Sequence, residues 1–140
     1  TEELHAHNSA AFWREIRDVR PFAEPGDTRV VWKLSVPPQS GAKLATALAA
    51  VVDGEFYVDW GGGLIWLAVP EAGTGGNEAV RAAVAESGGH ATLIRAPAEL
   101  RSAVPVFQPQ DPGLARLSQR LKEGFDPRGI LNPGRMYPGV

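Results

Sequence analysis

The residues with the clearest capacity for chemistry stand near the end of the chain, in the run Phe125-Asp126-Pro127-Arg128-Gly129-Ile130-Leu131-Asn132-Pro133-Gly134-Arg135. Two prolines and two glycines fix the backbone of such a run and let it approach another molecule closely. Asn132 offers both a donor and an acceptor, and Arg135 a planar, permanently charged fork. The same prolines and glycines would also serve simply to shape the exit of a helix. Both readings stand at this point.

Other constellations carry less. Gly73-Thr74-Gly75-Gly76 lies between an expected strand and an expected helix, where a phosphate-binding loop could sit. A dinucleotide fingerprint needs a further glycine where this chain has Glu78, and a carboxylate in the first helical turn opposes a bound phosphate. A flexible loop with a helix cap is the simpler reading. Gly61-Gly62-Gly63 joins two strands, so no helix amino terminus is there to hold an anion. Trp60 beside it could line a pocket. His5 and His7 lack an identifiable third metal ligand. His90 opens a strand and reads as a surface or strand-edge residue. No Ser/His/Asp arrangement shows itself, and Gly-x-Ser-x-Gly is missing. Arg116, Arg120 and Lys122 read as the solvated face of a helix, and the tryptophans at 13, 32, 60 and 66 as core. No catalytic residue and no metal site is assigned.

The elements that must position the closing run follow from periodicity. Asn8 or Ser9 caps an expected helix over residues 10–19 with Phe12, Ile16 and Val19 on one face, and Pro21 stops it. Val30, Trp32, Leu34 and Val36 alternate with polar residues and mark a strand with one buried face, which Pro37-Pro38 ends. Leu44, Leu48, Val51 and Val52 fall at helical spacing after Ser40. Residues 55–60 and 64–69 are two strands joined as a hairpin. Asn77 caps a helix carrying Val80, Ala83 and Val84, and Gly88-Gly89 closes it. Residues 90–95 form a last strand. The order β-α-β-β-α-β predicts an α+β, ferredoxin-like antiparallel sheet with both helices on one face. Beyond it, three prolines between 96 and 110 predict an extended connector with one helical turn near Glu99. Asp111-Pro112 caps a second added helix over residues 111–124, striped by Leu114, Leu117, Leu121 and Phe125. The expected organisation is thus a lead-in and helix over residues 1–28, a cap domain over 29–95, a connector over 96–110, and a helix with a return segment over 111–140.

A chain of 140 residues with 44% apolar and 21% charged residues suits one soluble domain with one core. Its net charge of −2 supplies no electrostatic attraction for nucleic acid or an anionic membrane. The chain has no cysteine, which excludes disulfides, thiolate catalysis and iron–sulfur ligation by its own residues. No apolar run is long enough to span a bilayer, so no transmembrane segment is expected, and a cytoplasmic setting is the default. The first residue is Thr1 rather than methionine, which fits a piece of something larger.

Taken whole, the closing run resembles the terminal signature of FAD-linked oxidases of the vanillyl-alcohol oxidase type. In that family a helix ends in a phenylalanine-aspartate-proline turn and the chain re-enters an FAD-binding domain. Phe12-Trp13-Arg14-Glu15-Ile16-Arg17 followed by Pro21-Phe22, then Trp32-Lys33-Leu34-Ser35-Val36-Pro37, then Asp59-Trp60-Gly61-Gly62 and Trp66-Leu67, narrow the resemblance to the FAD-binding E subunits of bacterial glycolate oxidases. The resemblance covers nearly the whole chain in order. It implies a cap domain that is not catalytic alone, preceded in the full protein by an amino-terminal FAD-binding domain. It also implies partners: a catalytic flavoprotein subunit and an iron–sulfur subunit, through which the complex could meet a membrane peripherally. Asn132, Pro133, Gly134 and Arg135 would then contact FAD, with Phe125 and Ile130 anchoring the turn that delivers them. Many members of the family carry lysine where this chain has Arg135. The larger relatives hold a hydroxy-acid substrate with metal-binding histidines and a glutamate, and no such cluster is visible here. The competing reading is a free-standing ferredoxin-like module that binds or senses a small molecule.

Overall fold

The computed structural model describes residues 5–140. Its elements are α1 (Ala6–Arg17), a 3-10 turn at Arg20–Phe22, β1 (Val30–Ser35), α2 (Pro38–Val52) and β2 (Glu55–Asp59). A second 3-10 turn, Trp60–Gly62, leads to β3 (Leu64–Val69), α3 (Asn77–Ser87), β4 (His90–Arg95), α4 (Ala98–Ala103) and α5 (Pro112–Phe125). The four strands form one sheet in the order β2-β3-β1-β4, antiparallel at every pairing. This α+β architecture is compatible with the ferredoxin-like fold that the sequence predicts.

Strand alternation sorts the side chains between the two faces. Val30, Trp32 and Leu34 of β1, Ile65, Leu67 and Val69 of β3, and Ala91 and Leu93 of β4 pack against Ala45 and Leu48 of α2 and Val80 and Val84 of α3. All of these are buried. The Trp32 indole is wholly enclosed, and its Nε1 donates to the Gly75 carbonyl at 2.8 Å, so its polar atom is satisfied. On the opposite face only part of the sheet is covered. Phe22 and Val19 pack over Val31, Ala68, Tyr57 and Trp66. Asp27 ties this edge together. It bridges Arg29 and Arg95 at 2.9 Å each, while Arg29 reaches Glu55 at 2.7 Å.

Close backbone approach explains two glycines. A Cβ on Gly41 of α2 would stand 1.9 Å from the Gly62 carbonyl oxygen, and one on Gly62 would stand 2.2 Å from that of Pro38. The start of α2 therefore lies directly on the hairpin turn, with Pro38 at its first helical position, where a missing N–H costs nothing. The prolines that the sequence reading took only as a strand stop also begin the helix.

Several expectations need correction. Helix α1 starts at Ala6 behind His5 and ends at Arg17, and neither Asn8 nor Ser9 caps it. Phe12 on its expected packing face is exposed. Gly76, in a left-handed conformation, takes the N-cap position expected of Asn77, whose Oδ1 is buried without a partner. Of the four tryptophans only Trp32 is core; Trp13 and Trp60 are exposed and Trp66 is half-buried. No residue of α5 is buried, so its leucine stripe faces outward.

The connector is more ordered than its prolines suggest. Leu93 N–H donates to the Val106 carbonyl at 2.8 Å. The Arg81 guanidinium stacks 5.0 Å from the Trp32 ring centroid. It donates to the carbonyls of Ala91 at 2.6 Å and Val106 at 3.2 Å, and to Gln108 Oε1 at 2.9 Å. Burial lowers its pKa below the usual arginine range. Arg81 and the Leu93–Val106 bond together hold the path of the chain toward α5.

Candidate functional site

Helix α5 begins as its sequence dictates. Asp111 Oδ1 accepts from the N–H groups of Gly113 at 2.8 Å and Leu114 at 3.0 Å, and Pro112 occupies the first turn. At the other end Asp126 is the hub of the closing turn. The residue is 7% exposed, and its carboxylate accepts from the N–H of Ile130 at 3.1 Å and Leu131 at 2.8 Å and pairs with Lys122 at 2.8 Å. Lys122 also donates to the Leu131 carbonyl. The Lys122 ammonium and the Leu131 N–H hold the Asp126 carboxyl at a pKa of about 2, below the usual carboxylate range. The sequence reading passed over Asp126. The signal was available: a lysine and an aspartate four apart at a helix end, with proline next.

From this anchor the chain enters a tight turn. Asn132 has φ +46° and Gly134 φ +68°, and the Arg135 N–H donates to the Asn132 carbonyl at 3.2 Å. Pro133 and Gly134 occupy the two central positions, the residue types that suit a turn with positive φ at its third residue. Gly134 N–H then bonds the Val140 carbonyl at 2.8 Å. Asn132, Pro133, Gly134 and Arg135 come together on this one turn, all exposed. Phe125 and Ile130 do not anchor it as expected. Phe125 is 86% exposed and Ile130 is exposed too, along with Leu131, Met136 and the α5 leucines. The buried carboxylate does the anchoring, and these apolar side chains stand exposed.

The closing segment lies beside the face of the sheet opposite α2 and α3. Tyr137 Oη donates to the Gln108 carbonyl at 3.2 Å. Tyr137 and Met136 line a cleft of about 480 Å³ with Leu114, Gln108, His90 and Thr92. Thr92 pairs with Lys33, Lys33 with Trp66, and Trp66 with Tyr57, one row across all four strands. Beside the two middle residues of that row, a second cavity of about 370 Å³ is lined by Lys33, Trp60, Trp66, Asp59 and Trp13. Tyr57 Oη donates to the Ile16 carbonyl at 3.1 Å, and burial, then the Asp59 charge, push its pKa up to about 12.

The glycine loop at 73–76 receives the Trp32 indole through Gly75 and caps α3 through Gly76, with Glu78 in the first helical turn. These are structural tasks. Among the described residues no three His, Cys, Asp or Glu side chains stand close enough together to hold a metal ion. No described helix is long and apolar enough to cross a membrane.

No protein-family profile matches this chain. No solved structure matches it either. Among curated proteins it is similar to "Glycolate oxidase subunit GlcE" of Escherichia coli (strain K12), at 33% identity over 128 residues. The alignment takes in 90% of this chain and 31% of that protein, so the chain spans about a third of the length of the relative it matches. Identity at this level over nine tenths of the chain relates it to the glycolate oxidase subunit GlcE.

Proposed function

We propose that this chain is the C-terminal cap region of an FAD-dependent oxidoreductase subunit acting on glycolate or a close 2-hydroxy acid. In this reading it completes the flavin site and the subunit assembly and has no activity alone. The observation that carries the proposal is the similarity to a glycolate oxidase subunit, which extends over most of this chain and about a third of that relative. The C-terminal geometry supports it. A stripe of leucines on α5 continues into Phe125, Ile130, Leu131 and Met136, all exposed, which suits a face made to be covered by an FAD-binding domain. A free-standing regulatory module leaves that face without a use.

The residues of the closing turn fit a contact with FAD along one edge of the cofactor. The turn is rigid, held by Asp126 and by the 132–135 hydrogen bond. A Cβ on Gly134 would meet nothing within 4 Å, so the backbone there is open to close approach. The Asn132 amide can exchange hydrogen bonds with a polar edge, and the Arg135 guanidinium can pair with a negative charge. FAD itself supplies the capacity to accept electrons from a hydroxy acid. This chain supplies contact and closure; the preceding FAD-binding domain, a catalytic flavoprotein subunit and an iron–sulfur subunit are the partners proposed with it.

The test uses the full-length flavoprotein carrying Arg135→Ala or Asn132→Ala. Losing a charge-assisted hydrogen bond weakens binding by roughly ten- to a hundred-fold, so the Arg135 variant should purify with less FAD while melting like the parent. Unchanged flavin content and spectrum in both variants would remove these residues from the cofactor site.

A further inference from the structure

The geometry points to a binding site for a small planar carboxylate on the face of the sheet opposite α2 and α3, formed by Lys33 with Trp60 and Trp66 beside it. The site is distinct from the closing turn and does not depend on the flavin reading.

The argument begins with Trp60. Its φ is +54°, the left-handed region where a bulky side chain is strained by about 1–3 kcal/mol. Gly61 and Gly62, which follow, also have positive φ and carry no such strain. Glycine or asparagine at position 60 would make this turn more cheaply. The indole does not offset the strain by filling the core, because it is 68% exposed. Asp59 Oδ1 holds the residue in place by accepting from the Trp60 N–H at 2.7 Å. What the strained residue does is wall a cavity. Its ring centroid lies 5.9 Å from Lys33 Nζ, and the Trp66 centroid lies 5.7 Å from the same ammonium.

Two indoles around a cation make an aromatic cage. Here the cation belongs to the protein, so a second cation is repelled and an anion is drawn in. Lys33 forms no ion pair among the described residues. The carboxylate in the lining, Asp59, accepts from the Trp60 N–H. The cavity of about 370 Å³ falls within the usual size range of small-molecule pockets. A flat, unsaturated ligand body stacks on an indole, while its carboxylate takes the lysine ammonium in a charge-assisted bond. Strand pairing holds Lys33 and Trp66 directly opposite each other on β1 and β3, so the sheet register places their side chains on one face.

Benzoate is the probe, titrated into the ¹⁵N-labelled chain while the indole N–H signals of the four tryptophans are followed by NMR. The expected result is saturable movement of the Trp60 and Trp66 signals, with Kd of about 1 mM or tighter. The Trp32 signal, enclosed on the other face, should stay still. Neutral benzamide should bind at least about ten-fold more weakly, as should benzoate to Lys33→Met, while Lys33→Arg should keep most of the affinity. Trp60→Leu, altering a mostly exposed side chain, should leave the fold intact and weaken benzoate, and it decides the matter if Lys33→Met does not fold. Shifts confined to other parts of the chain, equal affinity for benzamide, no saturable binding at millimolar benzoate, or undiminished binding by both Lys33→Met and Trp60→Leu would each overturn the site.

Discussion

Leu93 on β4 and Leu121 on α5 are the same residue at equally regular positions of two amphipathic elements, yet Leu93 is 1% exposed and Leu121 is 54% exposed. The first belongs to the layer between the sheet and helices α2 and α3. The second belongs to a stripe that nothing among the described residues covers. Periodicity reports which side of an element is apolar; it does not report what that side meets. Where the partner elements are in this chain, the pattern and the burial agree. Where they disagree, a missing partner is the physical reading, and that is the basis on which the C-terminal region is proposed to dock on an FAD-binding domain.

The contrast can be broken most forcefully at Trp32. Replacing it with alanine empties the centre of the core and leaves the Gly75 carbonyl without its donor, which should cost about 3–5 kcal/mol in denaturant unfolding. A smaller loss, about 2 kcal/mol, is expected for Arg81→Met, which strips charge-assisted donors from the Ala91 and Val106 carbonyls. Hydrogen exchange at Leu93 N–H, which bonds the Val106 carbonyl, should rise with it. A variant that melts like the parent would mean that the connector is held by something else.

The C-terminal region should respond locally and to acid. Asp126 has a folded pKa of about 2, held below the ordinary aspartate range by the Lys122 ammonium. A depressed carboxylate stabilises the fold above its unfolded pKa, and that contribution disappears as pH falls through the folded value. The closing turn should therefore be fully formed above about pH 4 and loosen toward pH 2. Asp27 is depressed in the same direction by Arg29, so a global melt does not separate the two. The amide signals of Ile130 and Leu131 do, and in Asp126→Asn their acid transition should vanish. The smallest effect is expected at Phe125. Its alanine variant should change the stability of this chain by no more than about 0.5 kcal/mol, because an exposed ring contributes little burial. A large loss there would mean that the ring packs within the chain, and the contrast between the two regions would fail.

How much of this was legible in the sequence follows the same division. Alternation along Val30 to Val36 placed β1 correctly, because one face of that strand meets helices in the same chain. Asp111-Pro112 placed the start of α5, since a cap acts within three residues of itself. The tryptophans misled. Aromatic residues favour burial on average, but Trp60 sits in a turn and Trp66 on the thinly covered face. Arg81 was illegible for a different reason: its partners include backbone carbonyls 10 and 25 positions away, and carbonyls carry no sequence signal. Of the closing run, the turn residues could be read and the carboxylate that anchors them was passed over. The row of Lys33, Trp66 and Thr92 needed the strand register, which sequence spacing does not provide.

The central claim, that the exposed C-terminal face is covered by an FAD-binding domain, is tested most directly by hydrogen exchange across residues 121–136. The measurement compares this chain alone with the full-length flavoprotein carrying FAD. The account predicts that exchange at Phe125, Ile130 to Asn132 and Arg135 slows by at least about ten-fold in the full-length protein, while the β1 and β3 amides differ little. Equal exchange at those residues in the two proteins would contradict it.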